Sequence, residues 1–132
     1  MELFVSEGSD IISVLKDKGK KIFLDLKFHD IPTTVARACF AASQTGVEFI
    51  SLHTCAGMKA LKMANEAAQE GASQVNLTPP KLLGITILTS WTQKSFANDL
   101  LINQSIDQRV KHLAEIAINS GLGGCVLSLI HI

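Results

Sequence analysis

Several absences bound what this chain can be. It has no excess of either charge, since twelve Lys and Arg balance twelve Asp and Glu. No basic cluster stands out either, so bulk electrostatics favours neither nucleic acid nor an anionic membrane as a partner. No apolar run approaches the ~20 residues of a membrane span, and no basic segment leads into an apolar signal core. Cys39, Cys55 and Cys125 are odd in number, far apart and in no metal-like spacing. They read as core thiols of a reducing, cytoplasmic protein, not as a disulfide framework. No G-x-G-x-x-G turn follows an apolar run, which argues against dinucleotide binding. His29, His53, His112 and His131 form no ligand cluster by spacing, so zinc is not indicated.

What is present is globular. Over 132 residues, 47% are hydrophobic and 18% charged, enough for one domain with a core and too apolar for a disordered chain. Ser9 or Asp10 can cap a first helix with Ile11, Ile12, Val14 and Leu15 on its apolar face and Gly19 at its end. A strand over residues 22–27 follows. Pro32 then suits the first turn of a helix carrying Val35, Ala38, Cys39 and Ala42, closed by Gly46. A second strand covers 47–53, and Gly57 leads into a helix that stops at Gly71. Residues 72–81 lack periodicity and read as a loop, and 82–88 read as a third strand. Residues 91–104 are irregular, with room for one short helical turn. In that loop Trp91 and Phe96 suit either a lid or packing. Ile106, Val110, Leu113 and Ile116 mark a last helix, stopped by Gly121, before a strand over 123–128.

Strands alternating with helices predict an α/β fold with a parallel sheet. Each strand delivers polar residues at its C-terminal end: Asp25 and Lys27, then His53, then Thr89 and Ser90, then Ser128. In parallel α/β folds that is where ligands bind. Alternation puts Phe23, Asp25 and Lys27 on one face, and Phe49, Ser51 and His53 likewise share a face. A polar inward face suits a barrel mouth. A complete eight-stranded barrel needs about twice this length, so four strands would leave it open.

The charged run Asp25-x-Lys27-x-x-Asp30 is the chemical candidate. An ammonium among carboxylates is held in its charged form, and a positioned one can stabilise a carbanion and then protonate it. The first amides of the helix after Pro32, with Thr33 and Thr34, favour anions. A structural ion pair at a strand end fits the spacing equally well.

The run Phe23-Leu24-Asp25-Leu26-Lys27-Phe28-His29-Asp30-Ile31-Pro32-x-Thr34 resembles the signature of the orotidine 5′-phosphate decarboxylase family. Glu2-Leu3-Phe4 and Leu88-Thr89-Ser90 resemble further family segments, so the likeness spans residues 1–128. It implies a partial (β/α)8 barrel holding about four strands, roughly the third to the sixth. It also implies conversion of orotidine 5′-phosphate to uridine 5′-phosphate in pyrimidine synthesis, with no metal or organic cofactor. By that resemblance Lys27, Asp25 and Asp30 are catalytic: Lys27 protonates C6 after carbon dioxide leaves, Asp25 lies beside the departing carboxylate, and Asp25 and Asp30 position Lys27. Asp30 and Thr34 would reach into the site of a second subunit of a homodimer, with Ile31 and Thr89 also against the substrate. Residue 33, commonly Asn in the family, is Thr33 here.

The family's further catalytic Lys and its ribose-contacting Asp should lie upstream of Met1, and its phosphate-gripping Arg beyond Ile132. The chain therefore reads as an internal piece that is not expected to decarboxylate alone. The end Leu127-Ser128-Leu129-Ile130-His131-Ile132 resembles a translated sequencing adapter, so 129–132 are expected to be a non-native tail; a genuine strand end is the plainer alternative. Magnesium-dependent sugar-phosphate decarboxylases and hexulose-phosphate synthases resemble the chain in Asp-x-Lys-x-x-Asp, but the His29-Asp30-Ile31-Pro32-x-Thr34 continuation disfavours them. A non-catalytic fragment is the remaining alternative. If the first resemblance holds, the complete enzyme keeps its activity in EDTA, whereas loss of turnover that magnesium restores would favour the magnesium-dependent relatives.

Overall fold

The computed structural model describes residues 1–128; the tail expected at 129–132 lies outside the described residues. Two short helices, α1 (Glu2–Glu7) and α2 (Asp10–Asp17), precede the first strand. The apolar run then forms β1 (Phe23–Phe28), followed by α3 (Pro32–Ser43), β2 (Phe49–His53) and α4 (Met58–Gln74). Next come β3 (Lys81–Ile85), α5 (Gln93–Leu100), α6 (Ile106–Asn119) and β4 (Gly124–Val126). All strand pairings are parallel and the sheet order is β1-β2-β3-β4. Among the described residues the sheet does not close, because β1 and β4 each pair on one side only. No helix among the described residues is long and apolar enough to cross a membrane.

The alternation expected for the strands holds. Leu24, Ile50, Leu52 and Leu82 are buried against α3 and α4, whose Val35, Cys39, Leu61 and Ala64 complete the main core. On the opposite face Phe23 stays 46% exposed and meets Phe49 edge-on, ring centroids 6.1 Å apart. An apolar side chain left open on the inner face of an unclosed sheet is what a partial barrel presents. Cys39 is a core thiol as expected, and burial pushes its pKa up to about 12. Cys55 is not: it is exposed, in the short turn Thr54–Ala56 that leaves the sheet after β2, and Cys125 is half-buried.

Other departures have local causes. Ser9 stands at the N-cap of α2 but makes no capping hydrogen bond through its side chain. Glu2–Glu7, ahead of the first helix expected from the sequence, is also helical. Residues 91–104 contain two turns of helix, α5, started by a reciprocal capping box between Thr92 and Ser95. Phe96 on α5 is fully buried and, with Ile106 and Val110, forms a second small core that Trp91 packs against. Trp91 and Phe96 are therefore packing residues.

Gly71 does not stop α4, which continues to Gln74. Its lack of a side chain serves the approach of α4 to α3. A Cβ there would lie 2.5 Å from the Phe40 carbonyl oxygen and press on the Ser43 hydroxyl, which itself donates to that carbonyl at 2.7 Å. Alanine would gain about 1 kcal/mol in helix propensity over glycine. Overpacking a tight contact costs about 1–3 kcal/mol, and both partners at Gly71 are held in place. Gly71→Ala should accordingly lower the midpoint of urea unfolding, followed by far-UV circular dichroism; a raised midpoint would show that the two helices can part without cost.

Candidate active site

The strand ends converge as alternation requires, but β1 reaches them by an irregular route. Phe23 pairs with Phe49 and Leu24 with Ile50, yet the next partner pair is Phe28 with Leu52. Four steps along β1 thus span two along β2, so residues 25–27 bulge out of the ladder. Lys27 takes a left-handed backbone, φ 56°. For a residue with a Cβ that conformation costs roughly 1–2 kcal/mol. It is held by a side chain of the neighbouring strand: the Lys27 N–H donates to Ser51 Oγ at 3.0 Å.

The same hydroxyl donates to Asp25 Oδ1 at 2.7 Å, and the Lys27 ammonium reaches Asp25 Oδ2 at 2.7 Å. Each carboxylate oxygen therefore has its own donor. Burial works against the charged form of Asp25, but the hydrogen bonds from Lys27 and Ser51 and the Lys27 charge outweigh it, so its pKa lies below the ordinary value. Their side chains keep 30% and 40% of their exposure, Lys27 and Asp25 respectively, so the pair faces a solvent-accessible mouth. Lys27 also lines a cavity of about 160 Å³ with Thr89, Ile85, Leu88 and Val126. Lys27 on β1 and Thr89 are thus brought to one place, although β3 ends at Ile85 and Thr89 lies in the connection after it, not at the strand end expected from the sequence.

Asp30 is not brought to Lys27. Among the described residues Lys27 pairs with Asp25, whereas the Asp30 carboxylate accepts the Ile31 N–H at 2.6 Å. Asp30 and Thr34 are exposed at the start of α3, and Ile31 is 64% exposed. Beside the mouth, the His29 and His53 rings lie 5.4 Å apart, and Cys55 Sγ is 3.8 Å from His29 Nε2. Burial, then the charges of His29 and Lys27, lower the pKa of His53 against an opposing pull from Asp25. Among the described residues no group of three or more His, Cys, Asp or Glu is arranged to hold a metal ion.

A larger cavity, about 460 Å³, lies at the opposite ends of the strands against Lys16, Glu48 and Lys81. Glu48 is already engaged there, paired with Lys16 at 3.3 Å and accepting the Ile22 N–H at 2.6 Å. The cavity bordered by Lys27 is smaller, but it is the one that adjoins the charged strand end.

Residues 1–129 match the orotidine 5′-phosphate decarboxylase / HUMPS family. The chain belongs to that family. It is 88% identical over 128 residues to an orotidine 5′-phosphate decarboxylase of Prochlorococcus marinus, covering 97% of this chain and 53% of that protein. It is 50% identical over 128 residues to another from Parasynechococcus marenigrum, covering 97% and 52%. Among solved structures, an orotidine 5′-phosphate decarboxylase from Lactobacillus acidophilus superposes with a TM-score of 0.85 at 35% identity, over 92% of this chain and 54% of that one. An uncharacterised conserved protein from Geobacillus kaustophilus gives a TM-score of 0.88 at 31% identity, over 94% and 57%. The chain spans about half the length of the curated relatives it matches. With its four parallel strands unclosed, it is a partial (β/α)8 barrel of the orotidine 5′-phosphate decarboxylase family.

Ser51 is the site residue that sequence reasoning did not single out. Its only signal was its place on the inward face between Phe49 and His53.

The lowered pKa of Asp25 has a signed consequence. A carboxylate with a depressed folded pKa adds stability above its unfolded pKa, near the ordinary 3.8, and that stability is lost as pH falls through the folded value. Asp25→Asn should therefore unfold at lower urea than the unsubstituted chain at pH 7. The gap should narrow as pH drops below about 4, the carboxylate range. A gap unchanged by pH would mean that the Asp25 charge does not contribute.

Proposed function

We propose that this chain is an internal piece of an orotidine 5′-phosphate decarboxylase and supplies the proton donor of its active site. The observation that carries the reading is Lys27 Nζ held 2.7 Å from Asp25 at a strand end that opens on a cavity shared with Thr89. In the reaction the bond from C6 of the pyrimidine to the carboxylate breaks, carbon dioxide leaves, and the electron pair stays on C6. The Lys27 ammonium gives C6 a proton and is itself reprotonated from solvent, which completes uridine 5′-phosphate. Asp25 aims the ammonium and places negative charge beside the departing carboxylate. Thr89 contacts the pyrimidine.

Asp30, Ile31 and Thr34 are exposed together at the start of α3, and among the described residues Asp30 makes no ion pair with Lys27. That suits residues which complete the site of a second subunit, so the active form is a homodimer. This chain alone, half the length of its relatives, is inactive because the rest of the constellation and the phosphate grip belong to the other half. No cofactor enters the reaction, and the unpaired thiols suit a reducing cytoplasm.

A graft tests the proposal. The 128 matching residues of the Prochlorococcus marinus relative are exchanged for those of this chain, and turnover is followed by the absorbance loss of orotidine 5′-phosphate. The graft should be active. Lys27→Ala in it should cut turnover by about 10²–10⁴-fold or more, the scale of positioned proton transfer, while uridine 5′-phosphate binding stays measurable. Retained turnover would remove Lys27 from the role.

A further inference from the structure

We propose that Ser51 is a positioning residue for this reaction: its one hydroxyl sets both the backbone of Lys27 and the carboxylate of Asp25. The inference rests on the reading of Lys27 as proton donor. A serine hydroxyl has one proton to give and lone pairs to accept with. Here the proton goes to Asp25 Oδ1 at 2.7 Å and a lone pair takes the Lys27 N–H at 3.0 Å. Ser51 is fully buried, on the central strand β2 in regular register with Leu83 of β3. It is therefore a fixed reference point to which the irregular end of β1 is tied.

The tie has a directional effect. With Oδ1 occupied by Ser51, the other oxygen of Asp25 is the one presented to the Lys27 ammonium at 2.7 Å. With its N–H held, Lys27 keeps the left-handed turn that points its side chain to the same face as Asp25. Without the hydroxyl the carboxylate could rotate about its last bond, and residues 25–27 would lose the two hydrogen bonds by which Ser51 ties them to β2. The ammonium would then sample positions away from the reacting carbon. Reaction should suffer more than binding, since a small misplacement weakens proton transfer more than contact with the substrate.

The grafted enzyme described above tests this. Ser51→Ala should lower kcat by about 10- to 100-fold, the scale of a hydrogen bond to a charged group, with KM changed less than about twofold. The acid limb of the kcat profile should move to higher pH, because Asp25 loses a donor that favours its charged form. Ser51→Thr, which keeps a hydroxyl, should recover most of kcat and return the acid limb to its original place. Should Ser51→Ala not fold, Ser51→Cys, nearly isosteric but with a weak S–H donor, carries the same comparison. An unchanged kcat, or a fall in kcat that follows thermal stability with the acid limb unmoved, would overturn the proposal and leave Ser51 a structural hydroxyl. If Lys27→Ala is inactive while Ser51→Ala behaves as the unsubstituted enzyme, only this inference fails. If Lys27→Ala turns over normally, the reading beneath it fails as well.

Discussion

The break in register between β1 and β2 is the constraint on which the site depends. Had the ladder run on regularly, Asp25 and Lys27 would stand two residues apart along a straight strand. In the bulge the Lys27 ammonium lies 2.7 Å from the Asp25 carboxylate, while the Lys27 N–H turns to Ser51. Bulges are common where a strand must re-aim a side chain near a site. This one is unusual in using lysine, and not glycine, for the left-handed residue. The backbone cost is met by a hydroxyl from the neighbouring strand, which satisfies an N–H that the ladder no longer serves.

A bulge is useful only if the strand beside it does not move. β2 is held by regular parallel pairing with β3 on one side, by the pairing of Phe49 and Ile50 with β1 on the other, and from behind by α3 and α4, packed so closely that Gly71 leaves no room for a methyl group. Ile50 and Leu52 are fully buried against them. Ser51 lies between these two residues, so the same alternation that anchors the strand in the core sends the hydroxyl to the site. Packing on one face of β2 becomes precision on the other.

Much of this was legible in the sequence. Apolar alternation marked the strands, Pro32 marked the start of α3, and Gly19 and Gly46 marked turns with positive φ. That Lys27 and Thr89 lie at the same end of the sheet followed from strand direction, although β3 stops at Ile85 and the connection after it carries Thr89. What was not legible depended on partners distant in sequence. The bulge was hidden because Lys27 carries no glycine signal for its conformation, and Ser51 is an ordinary strand residue until its neighbour's irregularity is known. Gly71 read as a helix stop because glycine has two uses, and only the nearness of Phe40 and Ser43 tells them apart. α5 was read as no more than one short turn because its box pairs Thr92 with serine at the third position, where Glu or Gln is the stronger cue. Spacing also grouped Asp30 with Asp25 and Lys27, whereas the turn into α3 leaves it on the surface.

The small core beneath α5 has a consequence for how such a site can change over time. Phe96, Ile106 and Val110 bury one another apart from the main core, so the connection after β3 carries its own stabilising contacts. A segment built this way behaves as a cassette. Its residues can drift or open and close locally without loosening β1 and β2, where Asp25, Lys27 and Ser51 are fixed. The wall of the cavity bearing Thr89 and the wall bearing Lys27 are thus held by different cores. Selection can retune how a ligand enters along the first while the charges on the second stay where they are.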